Sequence, residues 1–159
     1  YCRKKEPERV EADPAEILRE VLGMVRESAA KKGVEAVMQA DENLPTIFVD
    51  PVRMKRALLN LATNAIEACP EGGRLRLEAA QEEHDDRVAI RVADDGEGIP
   101  EDIQDRLFEP FFTTKGNSGT GLGLPLVKKV VTELGGELDV DSEVGRGTTF
   151  HILLPTSTD

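Results

Sequence analysis

Val88-Ala89-Ile90-Arg91-Val92-Ala93-Asp94-Asp95-Gly96-Glu97-Gly98-Ile99-Pro100 is the stretch on which the fold turns. Val88, Ile90 and Val92 alternate, as in a strand with one buried face. Counting by twos puts Asp94 on that same face. A carboxylate there has to be paired or hydrogen-bonded, because burying it alone costs several kcal/mol. Gly96 and Gly98 follow at once and let the backbone turn tightly and approach a planar ring. A surface turn is the competing reading, since Asp and Gly are common turn residues; the inward parity weighs against it.

The neighbouring segments extend this strand into a sheet. Leu75, Leu77 and Ala79 alternate with Arg74, Arg76 and Glu78, and residues 81–86 form a polar hairpin turn. Phe150, Ile152 and Leu154 mark the last strand, Leu138 and Val140 the one before it, and residues 34–40 and 46–49 two short ones. Thr148 is in phase with Phe150, so its hydroxyl either shares the bonds of Asp94 or is an ordinary strand threonine.

Helices fill the gaps. Asp13-Pro14 is a cap-plus-proline start, Ile17, Val21, Leu22, Met24, Val25 and Ala29 make an apolar stripe, and Gly33 is the stop. Asp50-Pro51 repeats the start for a helix to Cys69 that buries Met54, Leu58, Leu61, Ala62, Ala65 and Ile66. Residues 100–107 read as a short helix. Residues 122–134 read as a longer one with Leu126, Val127, Val130, Val131 and Leu134 inward, closed by Gly135-Gly136. The sum is an α/β (α+β) two-layer sandwich: a mixed, mostly antiparallel sheet of about five strands against three helices. Residues 1–12 read as a linker, 13–156 as the domain and 157–159 as a tail.

Three further patterns carry chemistry. Asn60 and Asn64 lie four apart on one helix face, where Asn is mildly unfavourable. They are either oxygen ligands for Mg²⁺ or the polar rim of an amphipathic helix. Gly119-Thr120-Gly121-Leu122-Gly123-Leu124 opens a helix, where bare N–H groups and the helix dipole attract an anion; a plain flexible turn is the alternative. Residues 108–120 read as a mobile lid anchored by Phe108, Phe111 and Phe112, with Lys115 in reach of a phosphate or simply solvated. His84 and His151 have no acid and nucleophile in a catalytic arrangement.

At 159 residues, with 39% hydrophobic and 32% charged residues, the chain is of single-domain size and soluble globular composition. The formal net charge of −11 argues against a broad nucleic-acid or anionic-membrane surface, so an anionic ligand has to be held locally. No apolar run approaches the ~18 residues of a membrane span. Cys2 and Cys69 lack metal-ligand spacing and read as reduced thiols of a cytoplasmic protein. The first residue is Tyr1 rather than Met, which reads as an excised piece of a longer protein, with any membrane anchor upstream.

Taken in order, the asparagine pair, the Asp94-to-Pro100 segment, the phenylalanine-rich stretch and the glycine loop resemble the ATP-binding catalytic domain of sensor histidine kinases, a branch of the Bergerat-fold ATPases. The resemblance runs from about residue 13 to 155. It implies ATP or ADP with Mg²⁺ as ligands. It implies that Asn64 binds the metal with Asn60 as its partner, that Asp94, Gly96, Gly98 and Ile99 read adenine, and that Thr148 supports Asp94. It implies that Gly119, Thr120, Gly121, Leu122, Gly123 and Leu124 hold the phosphates beneath the lid, with Lys115 nearby. Asn60 replaces the glutamate of the hydrolytic branches and cannot take a proton at neutral pH, which favours phosphoryl transfer over hydrolysis. Glu67 stands where many kinases carry a basic residue, and gets no phosphate role. The implied partners are a histidine-bearing dimerisation domain of the same parent and a response regulator, with a monomeric fragment that makes no nucleic-acid or membrane contact. An anti-sigma-type serine kinase and a non-catalytic nucleotide-sensing module are the alternatives on this fold.

Overall fold

The computed structural model describes residues 8–82, 86–112 and 123–156. In chain order the elements are β1 (Val10–Ala12), α1 (Pro14–Lys32), β2 (Glu35–Ala40), β3 (Ile47–Val49), α2 (Pro51–Ala68), β4 (Arg74–Gln81), β5 (Arg87–Asp94), α3 (Glu101–Gln104), α4 (Gly123–Glu133), β6 (Glu137–Glu143) and β7 (Gly147–Pro155). Five strands form one sheet in the order β2-β4-β5-β7-β6, with β2 parallel to β4 and the other pairs antiparallel. Helices α1, α2 and α4 pack on one face of it. This is the two-layer sandwich that the sequence implies, with short α3 as a fourth helix.

Both long helices begin as their sequences dictate. The Asp13 side chain accepts from Ala15 N at 2.9 Å, and that of Asp50 from Val52 N at 3.0 Å. Each such cap contributes about 1 kcal/mol. Gly33 ends α1 in the left-handed region at φ 79. The last residue of α1 also finishes α2: the Lys32 ammonium donates to the carbonyls of Ile66 and Glu67, two of the acceptors a helix end leaves open.

The apolar stripes need two corrections. Met24 is 54% exposed, while Leu18, absent from the expected stripe, is fully buried. The buried arc of α1 centres on Leu18 and Val25, and Met24 lies about a quarter turn away at 3.6 residues per turn. Leu126 is likewise outward, a quarter turn off the axis set by Val127, Val130, Val131 and Leu134. A third difference is β1. Residues 10–12, read as linker, pair antiparallel with β3 in a separate two-stranded sheet. Three residues in a charged segment are too few for alternation to show.

Across the sheet, Leu77, Val92 and Phe150 form one lateral row facing the helices. The next row is Leu75, Asp94, Thr148 and Ser142. One step along the strands the chemistry changes from hydrocarbon to oxygen, and the site lies there. Among the described residues, no helix is long and apolar enough to cross a membrane.

Candidate nucleotide site

A cavity of about 780 Å³ opens between the second half of α2 and the C-terminal end of β5. That is a usual size for a small-molecule site. Ile103, Leu107, Leu124 and Phe150 supply apolar wall, and Asn64, Asp94 and Thr148 supply polar atoms. Among the described residues, Asp94 and Thr148 are the buried polar side chains, at 6% and 5% exposure. Both open onto this cavity, as the inward parity of each strand requires.

Asp94 ends β5, and its Oδ1 accepts from Gly96 N at 2.8 Å. Burial pushes its carboxyl above the usual aspartate range, against the pull of the Gly96 and Thr148 backbone N–H groups. The ionised acid therefore lowers the stability of the empty fold at neutral pH. That loss is relieved as pH falls through the raised folded-state pKa. A ligand donor needs the opposite state, because only the carboxylate offers acceptors without a competing proton. We expect affinity for an amino-bearing purine to fall on acidification, from a pH above the ordinary aspartate range. Over the same interval Asp94 ceases to destabilise the empty domain. Adenosine titrations, which avoid phosphate protonation, paired with melting curves check both directions.

The two glycines make the tight turn expected of them, and their surroundings show why no side chain fits there. Gly98 has φ +79, and a Cβ on it would lie 2.2 Å from the Glu143 carbonyl oxygen. A Cβ on Gly96 would meet the Ala68 carbonyl oxygen at 2.8 Å. The room at Gly98 is taken by the backbone of β6, and that at Gly96 by the Asp94 carboxylate, at 2.7 Å, and by Ala68 at the end of α2. Gly98 and Ile99 line the cavity as well.

Asn64 lines the cavity from α2, and Asn60 stands one turn earlier on the same face. A Cβ on Gly123 would lie 3.8 Å from Asn60 Cγ, so the first turn of α4 sits beside the asparagine face. The positive end of α4 thus lies beside the Asn60 carboxamide, one turn of α2 before Asn64. Leu124 lines the cavity from that turn. Lys115, Gly119, Thr120, Gly121 and Leu122 lie outside the described residues, as do His84 and most of the expected lid. Of the three lid phenylalanines, Phe108 is half-buried with Lys128 5.4 Å from its ring centre, and Phe112 carries the Arg106 guanidinium at 4.4 Å. Phe111 does not anchor anything: at φ 68 its ring turns outward and is 75% exposed. Cys69 is buried at the end of α2, which pushes its thiol up, so it packs as a small apolar residue.

The expected role of Thr148 is changed in one respect. It stands directly opposite Asp94, but its hydroxyl lies 2.8 Å from Ser142 Oγ. Ser142 and Gln104 were not among the residues singled out from sequence. Ser142 was findable, because it shares the inward parity of Leu138 and Val140 on β6. Gln104 gave no signal, since its partners are backbone carbonyls that only the fold brings near.

The fold and the cavity define a nucleotide-binding two-layer domain. The sequence model of the family described as "Histidine kinase-, DNA gyrase B-, and HSP90-like ATPase" matches residues 49–158. The chain belongs to this ATPase family, on the branch formed by the catalytic domains of sensor histidine kinases. It is 38% identical over 142 residues to sporulation kinase E of Bacillus subtilis (strain 168), covering 88% of this chain and 19% of that protein. It thus spans about a fifth of that relative's length. The catalytic domain of histidine kinase ThkA in a nucleotide-free form superposes with a TM-score of 0.83 at 32% identity, over 94% of this chain and 96% of that one. Full-length ShkA in complex with AMPPNP gives a TM-score of 0.87 at 34% identity, over 98% of this chain and 32% of that one. ThkA in complex with response regulator protein TrrA gives 0.77 at 28% identity, over 94% and 42%.

Proposed function

We propose that residues 13–156 bind Mg-ATP and donate its γ-phosphate to a histidine on a separate dimerisation domain, as the catalytic module of a two-component sensor kinase. The observation that carries this reading is the buried carboxylate of Asp94, with Thr148 beside it, in one cavity with the carboxamide of Asn64. A purine with an exocyclic amino group satisfies the acid. The Asn64 oxygen is a hard donor of the kind Mg²⁺ takes, and among the described residues no group of three or more His, Cys, Asp or Glu side chains competes for a metal. Mg²⁺, when bound, neutralises charge on the transferring phosphate. The chain's own residues orient the base, fix the tail against α2 and α4, and leave no carboxylate at position 60 to activate water.

On this reading the glycine loop from Gly119 to Gly123 and Lys115 attend the phosphates. A cytoplasmic location and a response regulator downstream follow from the same reading; the ThkA complex with TrrA supports the response regulator. The test adds this domain and radiolabelled ATP to the histidine-bearing domain of the same parent. Acid-labile phosphate is expected on the acceptor. Asn64→Ala is expected to weaken Mg²⁺-dependent ATP binding by at least tenfold more than metal-free ADP binding. ATP bound with no transfer, or equal losses for both nucleotides, contradicts the assignment.

A further inference from the structure

Ser142 sits at the centre of a hydrogen-bond set that leaves its single proton one place to go. Its Oγ lies 2.8 Å from Ile99 N, 3.0 Å from the Gly147 carbonyl oxygen and 2.8 Å from Thr148 Oγ1. A serine hydroxyl has one proton and two lone pairs. The Ile99 N–H can only donate, and takes one lone pair. The Gly147 carbonyl can only accept, and two oxygens 3.0 Å apart with no proton between them repel. Ser142 therefore donates to Gly147. The remaining lone pair receives the Thr148 proton. Ser142 is then saturated, and Thr148 keeps only lone pairs for the cavity that it lines.

The position of Ser142 is itself fixed. Gln104 Nε2 donates to the carbonyls of Ile99 at 2.8 Å and Ser142 at 3.2 Å. Both partners are acceptors, so the amide has one orientation. In register, Asp94, Thr148 and Ser142 form one row across β5, β7 and β6.

We propose that Ser142 is a positioning residue that sets base specificity by consuming the Thr148 proton, so that Asp94 and Thr148 present acceptors alone to the substituent at position 6 of the purine. This inference rests on the nucleotide reading above. At position 6 an amino purine offers donor hydrogens and an oxo purine an acceptor oxygen, while the neighbouring N1 is an acceptor in the first and an N–H donor in the second. Two acceptors facing it leave that oxygen unpaired, and a buried unpaired polar group is strongly disfavoured. If Thr148 were free to turn its proton into the cavity, it would donate to a 6-oxo group and soften the discrimination.

The test compares ATP and inosine triphosphate affinities by calorimetry in the intact chain. Ser142→Ala is expected to lower the ATP-to-ITP affinity ratio about tenfold, chiefly by improving ITP. Ser142→Thr keeps the hydroxyl and restores the ratio. In a Thr148→Val background, Ser142→Ala changes the ratio no further. A ratio unchanged in Ser142→Ala, or equal losses for both nucleotides, overturns the proposal, since a merely structural residue weakens the two alike. Should Ser142→Ala fail to fold, Thr148→Val alone decides: a ratio equal to wild type overturns the proposal and a lowered one supports it. Wild-type protein that binds neither nucleotide instead removes the underlying nucleotide reading.

Discussion

Asp94→Asn removes measurable ATP binding and leaves the domain folded. The asparagine amide has nearly the shape of the carboxylate, and its oxygen still accepts from Gly96 N, 2.8 Å from Oδ1 in the native protein. The fold loses little. The empty domain is expected to melt at the same temperature or slightly higher, because the desolvated charge that burdens it is gone. Binding fares differently. The amide nitrogen turns a donor toward the donor of the purine. Losing a charge-assisted bond costs about 1.5–3 kcal/mol, and the orphaned group adds about 1–3 kcal/mol. At about 1.4 kcal/mol per tenfold, the loss is at least about sixtyfold in Kd. Calorimetry with ATP on the folded variant checks this, and unchanged affinity would refute the assignment of Asp94 to the base.

The second large effect is structural in origin and reaches the same site. Gly147→Ala is expected to destabilise the domain by about 3 kcal/mol or more and to abolish ATP binding. Gly147 begins β7 at φ +128, and a Cβ on it would lie 2.0 Å from the Asp94 carbonyl oxygen. Neither group is a flexible side chain, so β5 and β7 have to separate where Asp94 and Thr148 face each other. At roughly 2–4 °C per kcal/mol for a chain of this size, the melting temperature falls by about 10 °C. Gly145→Ala is the control. It also has positive φ, at +86, but a Cβ there meets nothing within 4 Å. It is expected to lose only about 1 kcal/mol, from backbone strain alone. Similar melting temperatures for the two variants would show that the collision is not the cause.

Much of the fold was legible because its signals are local and periodic. The Asp-Pro starts at Asp13 and Asp50, the alternation in β4, β5 and β7, and the stop at Gly33 each act within a few residues. Parity carried the reading further. It placed Asp94 and Thr148 inward before any neighbour was known, and both are buried. The misses are of the opposite kind. Met24 and Leu126 lie at the margins of apolar arcs, where only the packing partner decides whether a side chain is covered. The pairing of β1 with β3 depends on a partner strand more than thirty residues away. The tight turn at Gly96 and Gly98 was legible, but the backbone at Glu143 that makes Gly98 necessary was not.

The linear order of residues settled which way Asp94 and Thr148 face on their strands, where the two long helices start, and that a carboxylate would be buried beside a glycine-rich turn. Those properties follow from dihedral preferences and the periods of 2 and 3.6, which act along the chain. The tertiary structure alone decided where the Thr148 proton goes, which backbone the glycines must clear, and that Asn60 faces the first turn of α4. Hydrogen-bond direction and steric exclusion depend on distances of about 3 Å between atoms far apart in sequence, and such distances exist only once the sheet has closed its row from Asp94 to Ser142.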